Sequence, residues 1–404
     1  MKFKTTSQVF SDLLTAAVAH STKNSASIGG FFLLEVKDGR LTVKAECVGS
    51  GFKGSIAVKS EEDGSVCVVA DKLQSFVAQI AQMGDVEISV RTTEKNTMIV
   101  ESTQTMPKTK ISLRTRGADT FPESKECPAE KWGEVEVGLF ATALQHVAVV
   151  ADKENPLEIR KSVHIEQSVK PNEETGADET VLTFVATNGR SLGTESYALK
   201  DGKSIPELKA INIPSTSVPK ILAITGKDDK GGTDEPATAG IAVHDGKVFF
   251  KVGDIEIYIS LYSDNYCSWE RVIPVDTPET PIRWIELDEK EFSRTLALAG
   301  ITADAKSKMV TIDFSTEGTK VSSMNEDKDF TEQVMDLKVE GNPISFNFNR
   351  NLLTVALKGL EGPKEPGEVP VKIGCRSSVT SVLLKRVDGK GPLYVIMPMV
   401  GTEA

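Results

Sequence analysis

The chain has 404 residues, with 47 lysines and arginines against 58 aspartates and glutamates, so its formal net charge is −11. Its 39% hydrophobic and 26% charged residues are typical of folded globular domains. No apolar stretch approaches the roughly 18 residues that a membrane-spanning helix needs, so no membrane partner is expected. The negative charge disfavours a protein that holds duplex DNA by surface charge alone. At roughly 150 residues per domain, the length predicts two to four domains.

The five cysteines are far apart and odd in number, and none forms a Cys-x-x-Cys pair. This pattern predicts neither a zinc site nor a disulfide framework, and it favours a reducing compartment. The N-terminal stretch has no cleavage-like site after its apolar part, so we expect a cytoplasmic location. The four histidines are isolated, and the common nucleotide-binding, metallopeptidase and serine-hydrolase motifs do not occur. We therefore expect no catalytic site, no metal and no cofactor.

A helical pattern, Phe-[Ser/Ala]-x-x-Leu, follows a short strand-like stretch three times along the chain. It occurs as FSDLL at 10–14, FATAL at 140–144 and FSRTL at 292–296. Phenylalanine and leucine four positions apart lie on one face of a helix and can pack against a sheet. The copies are 130 and 152 residues apart, which is the spacing of domains rather than of short solenoid repeats.

A second strand-to-helix element also occurs three times, at 66–84, 210–226 and 344–360. Polar residues at the three junctions are predicted to cap the helices that follow: Asp71, Ser215 and Asn349. Each helix is succeeded by alternating strands, with antiparallel hairpins expected between them.

These repeats predict an α+β fold made of three tandem domains of similar topology. Turn-rich stretches separate the copies, so we expect a first domain at 1–130, a central domain at 131–279 and a C-terminal domain at 280–404. Two polar stretches within the central domain, 169–179 and 226–240, are predicted to be surface loops because they show no apolar periodicity.

The charge is distributed unevenly between the predicted helices and the rest of the chain. The six predicted helical segments together carry a net charge of +3, whereas the remaining residues carry −14. Such an asymmetry favours a helix-lined surface that tolerates a polyanion while the exterior repels it.

Four further stretches carry a resemblance to a known family. The chain starts MKF and leads straight into its first helix, and it contains ATNGRSL at 186–192, YCSWERVIP at 266–274 and YVIMPM at 394–399. These resemble the family stretches A-T-D-G-H-R-L, F-P-D-Y-R-R-V-L-P and Y-V-V-M-P-M, in the same order along the chain. The chain thus resembles the bacterial DNA polymerase III beta subunit, the sliding clamp, over its whole length.

The resemblance implies a fold and a function. Two protomers close head to tail into a ring of six domains in a homodimer, with helices lining the hole and sheets forming the outer wall. Double-stranded DNA passes through the hole and is retained topologically, without sequence readout. The replicative DNA polymerase and the clamp loader attach to the ring, which acts as a processivity factor and has no catalytic site of its own.

The resemblance also assigns residues to three sites. The partner-peptide pocket would contain Thr187, Gly189, Arg190, Leu192, Arg271, Val272, Met397, Pro398 and Met399. The DNA-facing positions would be Lys23, Lys220, Arg294, Arg350 and Lys358. The dimer interface would include Ile111, Leu113 and Leu298. Methionines in the pocket suit varied apolar peptide anchors. Arg160 aligns with an apolar residue of the family's pocket wall, so a different peptide specificity is expected.

Two other interpretations remain open from the sequence. A three-domain β-rich scaffold or interaction protein without any DNA role would show the same repeated strands. An enzyme with a site between domains has no supporting cluster of histidines, cysteines or paired carboxylates in the sequence.

Overall fold

In the computed structural model, a strand leads into every α-helix of the described residues. The structure describes residues 1–23, 27–105, 108–172, 175–200, 203–225, 237–360 and 370–399. Six α-helices lie within these ranges: α1 Ser7–Val18, α2 Ala70–Gln82, α3 Val137–Ala148, α4 Val218–Thr225, α5 Glu289–Ala299 and α6 Arg350–Leu360. None of these helices is long and apolar enough to cross a membrane.

The strands are short and in the described residues pair antiparallel. Their bounds are β1 Lys2–Thr6, β2 Phe31–Lys37, β3 Arg40–Cys47, β4 Ser50–Ala57, β5 Lys59–Glu62, β6 Gly64–Val69, β7 Glu87–Thr93, β8 Thr97–Ser102, β9 Thr109–Arg116, β10 Gly133–Glu136, β11 Ser162–Pro171, β12 Asp178–Thr187, β13 Ser191–Ala198, β14 Ala210–Pro214, β15 Thr238–His244, β16 Lys247–Val252, β17 Ile255–Ser260, β18 Arg283–Asp288, β19 Met309–Phe314, β20 Thr319–Met324, β21 Phe330–Met335, β22 Ile344–Asn349, β23 Pro370–Cys375, β24 Val382–Arg386 and β25 Leu393–Ile396.

The packing of the chain divides it into two compact units. The first comprises Met1–Ala141, Lys203–Leu208 and Ser217–Leu261, and the second comprises Thr142–Gly202, Lys209–Thr216 and Tyr262–Ala404. The first unit contains one sheet in the order β10-β15-β16-β17-β4-β3-β2-β6-β9-β8-β7-β1-β5. The second unit contains a sheet in the order β14-β11-β12-β13-β25-β24-β23-β18 and a four-stranded sheet in the order β21-β20-β19-β22.

Hydrogen bonds between strands cross the domain limits that the sequence predicts. Within the first unit β17 pairs with β4, and within the second unit β13 pairs with β25. Residues of neighbouring sequence repeats therefore belong to one sheet. As a result, the two compact units do not coincide with the three domains that the sequence predicts. The α+β class is confirmed, and the three domain ranges stay a prediction.

The repeated Phe-x-x-x-Leu pattern forms the buried face of its helix in all three copies. Side chains at both positions are at most 1% exposed: Phe10, Leu14, Phe140, Leu144, Phe292 and Leu296. Their four-residue spacing brings each pair onto one helical face, and burying such side chains contributes roughly 1.5–3 kcal/mol each. The interpretation of this pattern as a core-facing helix is confirmed.

The predicted helix caps differ in outcome. Asn349 precedes α6, and its side-chain oxygen accepts a hydrogen bond from the backbone N–H of Asn351 at 2.9 Å, as expected of a cap. The prediction for Asp71 is wrong, because α2 begins at Ala70 and its N-cap is Val69. Asp71 lies instead in the first turn, where its negative charge suits the helix dipole. Ser215 begins a short 3-10 turn ahead of α4.

Candidate functional site

A tight turn between β12 and β13 forms one rim of a groove in the second unit. The side-chain oxygen of Asn188 accepts hydrogen bonds from the backbone N–H groups of Arg190 and Ser191, both at 2.8 Å. The hydroxyl of Thr187 donates to the carbonyl of Ser191 at 2.7 Å. Gly189 has φ +84°, a conformation that glycine adopts without strain. The short polar side chains therefore hold this turn in one shape.

Arg160 lies directly against the turn. A Cβ atom at Gly189 would stand 2.8 Å from the guanidinium carbon of Arg160, which is closer than side-chain carbons pack. The absence of a side chain at Gly189 thus leaves room for the guanidinium of Arg160 against the turn. Gly189 positions an arginine at the rim of the groove.

The opposite rim of the groove is the segment 264–275. It is held against β11 by a stacked pair of aromatic rings and against β14 by hydrogen bonds of an asparagine side chain. The ring of Tyr266 stacks on His164, with centroids 4.3 Å apart and planes inclined by 9°. Asn212 on β14 joins the two sides, since its oxygen lies 2.8 Å from Nδ1 of His164 and its nitrogen donates to the carbonyl of Asp264 at 2.6 Å. Burial raises the pKa of Tyr266, so its phenol stays protonated at neutral pH.

Residues that follow β23 hold the far end of that segment. The guanidinium of Arg376 donates to the carbonyl of Val275, and the hydroxyl of Ser381 donates to the carbonyl of Val272 at 3.5 Å. The carboxylate of Asp276 accepts the backbone N–H of Ile282 at 2.9 Å. The rim is therefore anchored to the sheet at several points.

The groove between the two rims has a volume of about 730 Å³. Its floor belongs to a buried apolar cluster that includes Leu192 and Val395, with Trp269 and Ile273 packed against it. Leu192 on β13 lies opposite Val395 on β25, so the floor is a product of sheet pairing. A groove of this size, apolar at its base and open to solvent, suits an extended peptide with apolar side chains.

Most of the predicted pocket residues line this groove. Those found in its wall are Thr187, Gly189, Arg190, Leu192, Arg271, Val272 and Met397. Val272 and Met397 are 51% and 56% exposed, which leaves their apolar surfaces free to contact a ligand. Pro398 and Met399 follow Met397 beyond the end of β25 and do not line the groove, and the backbone N–H of Met399 donates to the carbonyl of Asn347 at 2.7 Å.

Several wall residues were not assigned from the sequence. They include Cys267, Trp269, Ile273, Thr277, Arg376, Thr380 and Ser381. The first three belong to the stretch YCSWERVIP, which also contains the predicted residues Arg271 and Val272. Their proximity in sequence to those two residues was the signal that could have identified them. Arg376, Thr380 and Ser381 come from the loop between β23 and β24, more than 100 residues later, and only the sheet brings them to the groove. Within the described ranges, no group of three or more acidic, histidine or cysteine side chains is arranged to hold a metal ion.

The five predicted DNA-facing cations differ in their surroundings. Lys23, Arg294 and Lys358 are exposed. Arg350 is half-buried and packs over Gly300, where its side chain takes the space of a Cβ atom. Lys220 is also half-buried, and its ammonium group donates to the hydroxyl of Ser50 at 2.6 Å. Three of the five therefore present free charge, and two are engaged by their own unit.

Two of the predicted interface residues lie on an incompletely paired strand, and the third lies on helix α5. In the first unit, Ile111 and Leu113 belong to β9, whose residues 109–114 pair with β8 on one side while only Thr115 and Arg116 pair with β6 on the other. Leu113 is 7% exposed, so most of its surface already packs within its own unit.

In the second unit, β21 pairs with β20 alone among the described strands and forms a sheet edge. Phe330 and Val334 on this strand are 59% and 66% exposed, and Met324 lies directly across from Phe330. Leu298 near the end of α5 and Ile301 in the 3-10 turn that follows it are 43% and 74% exposed. An unpaired edge beside exposed apolar side chains is typical of a surface that pairs with another chain.

Comparison with known proteins gives one consistent family. Residues 271–400 match the family model described as DNA polymerase III beta subunit, C-terminal domain. The beta sliding clamp of Vibrio cholerae is 22% identical over 386 residues, 93% of each chain, and that of Synechocystis is 21% identical over 397 residues, 97% of each chain. The match to the beta sliding clamp of Proteus mirabilis, 24% identical, spans 55% of each chain.

Solved structures agree in fold. A sliding clamp from Pseudomonas aeruginosa bound to griselimycin superposes with a TM-score of 0.84 at 17% identity, covering 99% of this chain and 100% of that one. The DNA polymerase III beta subunit of Thermotoga maritima gives a TM-score of 0.81 at 20% identity, with the same coverage. At these identities the superpositions establish the shared fold.

Proposed function

We propose that the chain, which is similar to the beta sliding clamps as a divergent relative, acts as a ring-shaped processivity factor on duplex DNA. The proposal rests on one observation above all, the groove on a clamp-like fold that keeps exposed Val272 and Met397 beside an apolar floor. A ring that stays on DNA by topology needs a docking site for partners and no covalent chemistry. The alternative of a scaffold without a DNA role is not favoured by the family match.

Ring closure would use the two open strand edges. Strand β9 of one protomer would add to β21 of another, which pairs the free backbone groups of both edges. The exposed Phe330, Leu298 and Ile301 would become buried at the same time. Because the two edges lie in different parts of the chain, the contact is heterologous, and two copies close it by each supplying both edges.

Each of the three proposed domains, 1–130, 131–279 and 280–404, contributes two strand-to-helix elements. A homodimer would therefore bring twelve helices to the inner surface of the ring. The exposed cations Lys23, Arg294 and Lys358 are the proposed contacts to phosphate. With so few free positive charges and a net charge of −11, contacts to DNA would be weak and salt-sensitive, which allows sliding.

The proposed partners are a replicative DNA polymerase and a clamp loader, each docking a short linear peptide in the groove. Extended peptides gain specificity from pockets that accept alternate side chains. Methionine at the rim adapts its shape to different apolar anchors, so one groove serves several partners. A ring that works with replication proteins would reside in the cytoplasm.

Two measurements test this function in sequence. Light scattering over a dilution series at moderate salt should give twice the chain mass of 43.7 kDa. The labelled ring, loaded with a clamp loader and ATP onto nicked circular DNA, should then co-elute with the circle and dissociate when the circle is linearised. A mass of one chain at every concentration, or equal retention on circular and linear DNA, would contradict the proposal.

A further inference from the structure

The groove wall contains four arginines and, within the described residues, no aspartate or glutamate. Arg160 and Arg190 come from the rim at the β12–β13 turn, Arg271 comes from the opposite rim, and Arg376 comes from the loop after β23. A wall of this composition is unusual for a chain that carries 58 acidic residues and a net charge of −11. The local charge is thus opposite to the charge of the chain as a whole.

None of these four guanidinium groups is neutralised by a carboxylate. Among the ion pairs of the described residues, within 4.0 Å, none includes Arg160, Arg190 or Arg271. Arg376 donates to the carbonyl of Val275, and its Nε is buried without a hydrogen-bond partner in the described chain. Unpaired arginines around an apolar groove cost desolvation free energy when a ligand covers them, unless the ligand supplies acceptors.

Two of the four arginines, Arg160 and Arg376, are held in place. Arg160 packs on Gly189, where a Cβ atom would come within 2.8 Å of its guanidinium carbon, and Arg376 is fastened to the backbone of the opposite rim. A guanidinium fixed in this way loses little conformational entropy when it binds, and its planar donors match a carboxylate in two parallel hydrogen bonds. The charge is therefore arranged for recognition rather than spread over a flexible surface.

We infer that the groove selects acidic peptides, in which aspartate or glutamate residues flank the apolar anchors. This inference rests on the proposed function of the groove as a peptide site and specifies its partner class. Leu192 and Val395 make the floor of the groove apolar, and the apolar side chains of Val272 and Met397 are exposed in its wall. These surfaces favour a peptide over a nucleic-acid backbone, which has no apolar side chains to place there. Partner proteins would carry the acidic segment on an exposed tail or loop.

The test uses two labelled ten-residue peptides with the same two leucines and one phenylalanine. One has aspartate and glutamate at the flanking positions, and the other has asparagine and glutamine there. Fluorescence anisotropy with the full chain should give at least tenfold tighter binding of the acidic peptide at 50 mM salt. The ratio should fall towards one at 500 mM salt, because screening weakens the charge contacts.

Variants assign the preference to the groove. Arg376→Gln and Arg160→Gln should each lower the acidic-to-neutral ratio severalfold, whereas Arg376→Lys should retain part of it. Lys338→Gln, at a lysine of the same unit whose side chain is 66% exposed and lies outside the groove wall, is the control and should leave the ratio unchanged. Circular dichroism and thermal melting show that each variant is folded.

Three results would overturn the inference. Equal affinity for the two peptides, or a ratio that the groove variants leave unchanged, would remove the acidic preference while peptide binding itself stood. Displacement of the acidic peptide by a single-stranded oligonucleotide of equal charge, at equal concentration, would indicate a general anion site. Failure of both peptides to bind would overturn the groove as a peptide site and this inference with it.

Discussion

Tyr394 occupies the space into which a side chain at Gly359 would project. Tyr394 is fully buried, and its hydroxyl donates to the carbonyl of His146 at 2.8 Å. The phenol oxygen is the nearest atom to a Cβ atom placed on Gly359 in helix α6, and Gly193 on β13 faces the other side of the same ring. Tyr394, the first residue of the YVIMPM stretch, therefore packs between two glycines. This packing holds β25, the strand that leads to the groove, in position.

Gly359→Ala should destabilise the second unit by about 1–3 kcal/mol, because the added methyl forces the tyrosine ring out of its site. The change removes the hydrogen bond to His146 as well, so the loss exceeds the roughly 1 kcal/mol that alanine normally gains over glycine in a helix. Gly138→Ala in α3 is the matched control, since nothing lies within 4 Å of its Cβ position, and it should be neutral or stabilising. Thermal unfolding of both variants distinguishes the two effects.

His20 should remain neutral far below the usual range of a histidine. It is fully buried, and both its ring nitrogens lack a hydrogen-bond partner in the described chain. Burial, with a smaller contribution from the charge of Lys220, lowers the pKa of His20 to about 3. Between the unfolded value near 6.5 and about 3, unfolding takes up a proton, so stability falls as the pH falls through this window.

His20→Leu should remove that dependence. When the pH is lowered from 7.5 to 5, the parent chain should lose about 2 kcal/mol of its free energy of unfolding through His20, and the variant should not show this loss. Urea denaturation of both proteins at both pH values measures the difference. Histidine-selective NMR should also show that the His20 ring keeps its neutral chemical shift down to about pH 4. A parallel loss of stability in both proteins would contradict the assignment.

Leu298→Asp should convert the proposed ring into single chains. The side chain is 43% exposed on α5, so a carboxylate there is solvated in the free chain and becomes costly only when a partner covers it. Leu139→Asp is matched in exposure, 42%, and also lies on a helix, but it is not at a proposed interface. Light scattering should give the chain mass for Leu298→Asp and twice that mass for Leu139→Asp. Leu113 is unsuited to this test because it is 7% exposed and its change would disturb its own sheet.

Val272→Asp should abolish peptide docking without unfolding the chain. Val272 is 51% exposed in the groove wall, so its replacement removes an apolar contact and leaves the core intact. Anisotropy with a labelled apolar peptide should show at least a tenfold loss of affinity, as expected for a central contact of a small interface. Val169→Asp on β11, 67% exposed and outside the wall, should bind the peptide like the parent chain.

Arg294→Gln combined with Lys358→Gln should weaken contact with DNA without affecting ring closure. Each removed phosphate contact should reduce the slope of log affinity against log salt by about 0.9. Lys338→Gln, at a lysine that follows β21 and whose side chain is 66% exposed, is the control. Anisotropy with a labelled duplex over a salt series measures the slope, and an unchanged slope in the double variant would count against these contacts.

The sequence alone determined the repeat and the helices, and it contained the resemblance to a known family. Phenylalanine and leucine four apart require a helix with one buried face, and three copies at domain spacing indicate duplication, because both are local properties of the chain. The sequence also predicted the turn at Gly189, and its resemblance assigned Val272 and Met397, both exposed in the structure, to the proposed pocket. The prediction of a cap at Asp71 was wrong because β6 ends at Val69 and α2 begins at Ala70, with no polar residue at the junction.

Only the tertiary structure decided which residues from distant parts of the chain meet. Arg376 reaches the groove because β24 pairs with β25 and β25 pairs with β13, and no local pattern reports such long-range pairing. Lys220 appears in sequence as an ordinary helical cation, yet it is half-buried and bound to Ser50 on β4. Local sequence encodes periodicity and turns through short-range sterics, whereas the charge of a groove or the exposure of a lysine depends on which strands hydrogen-bond across the fold.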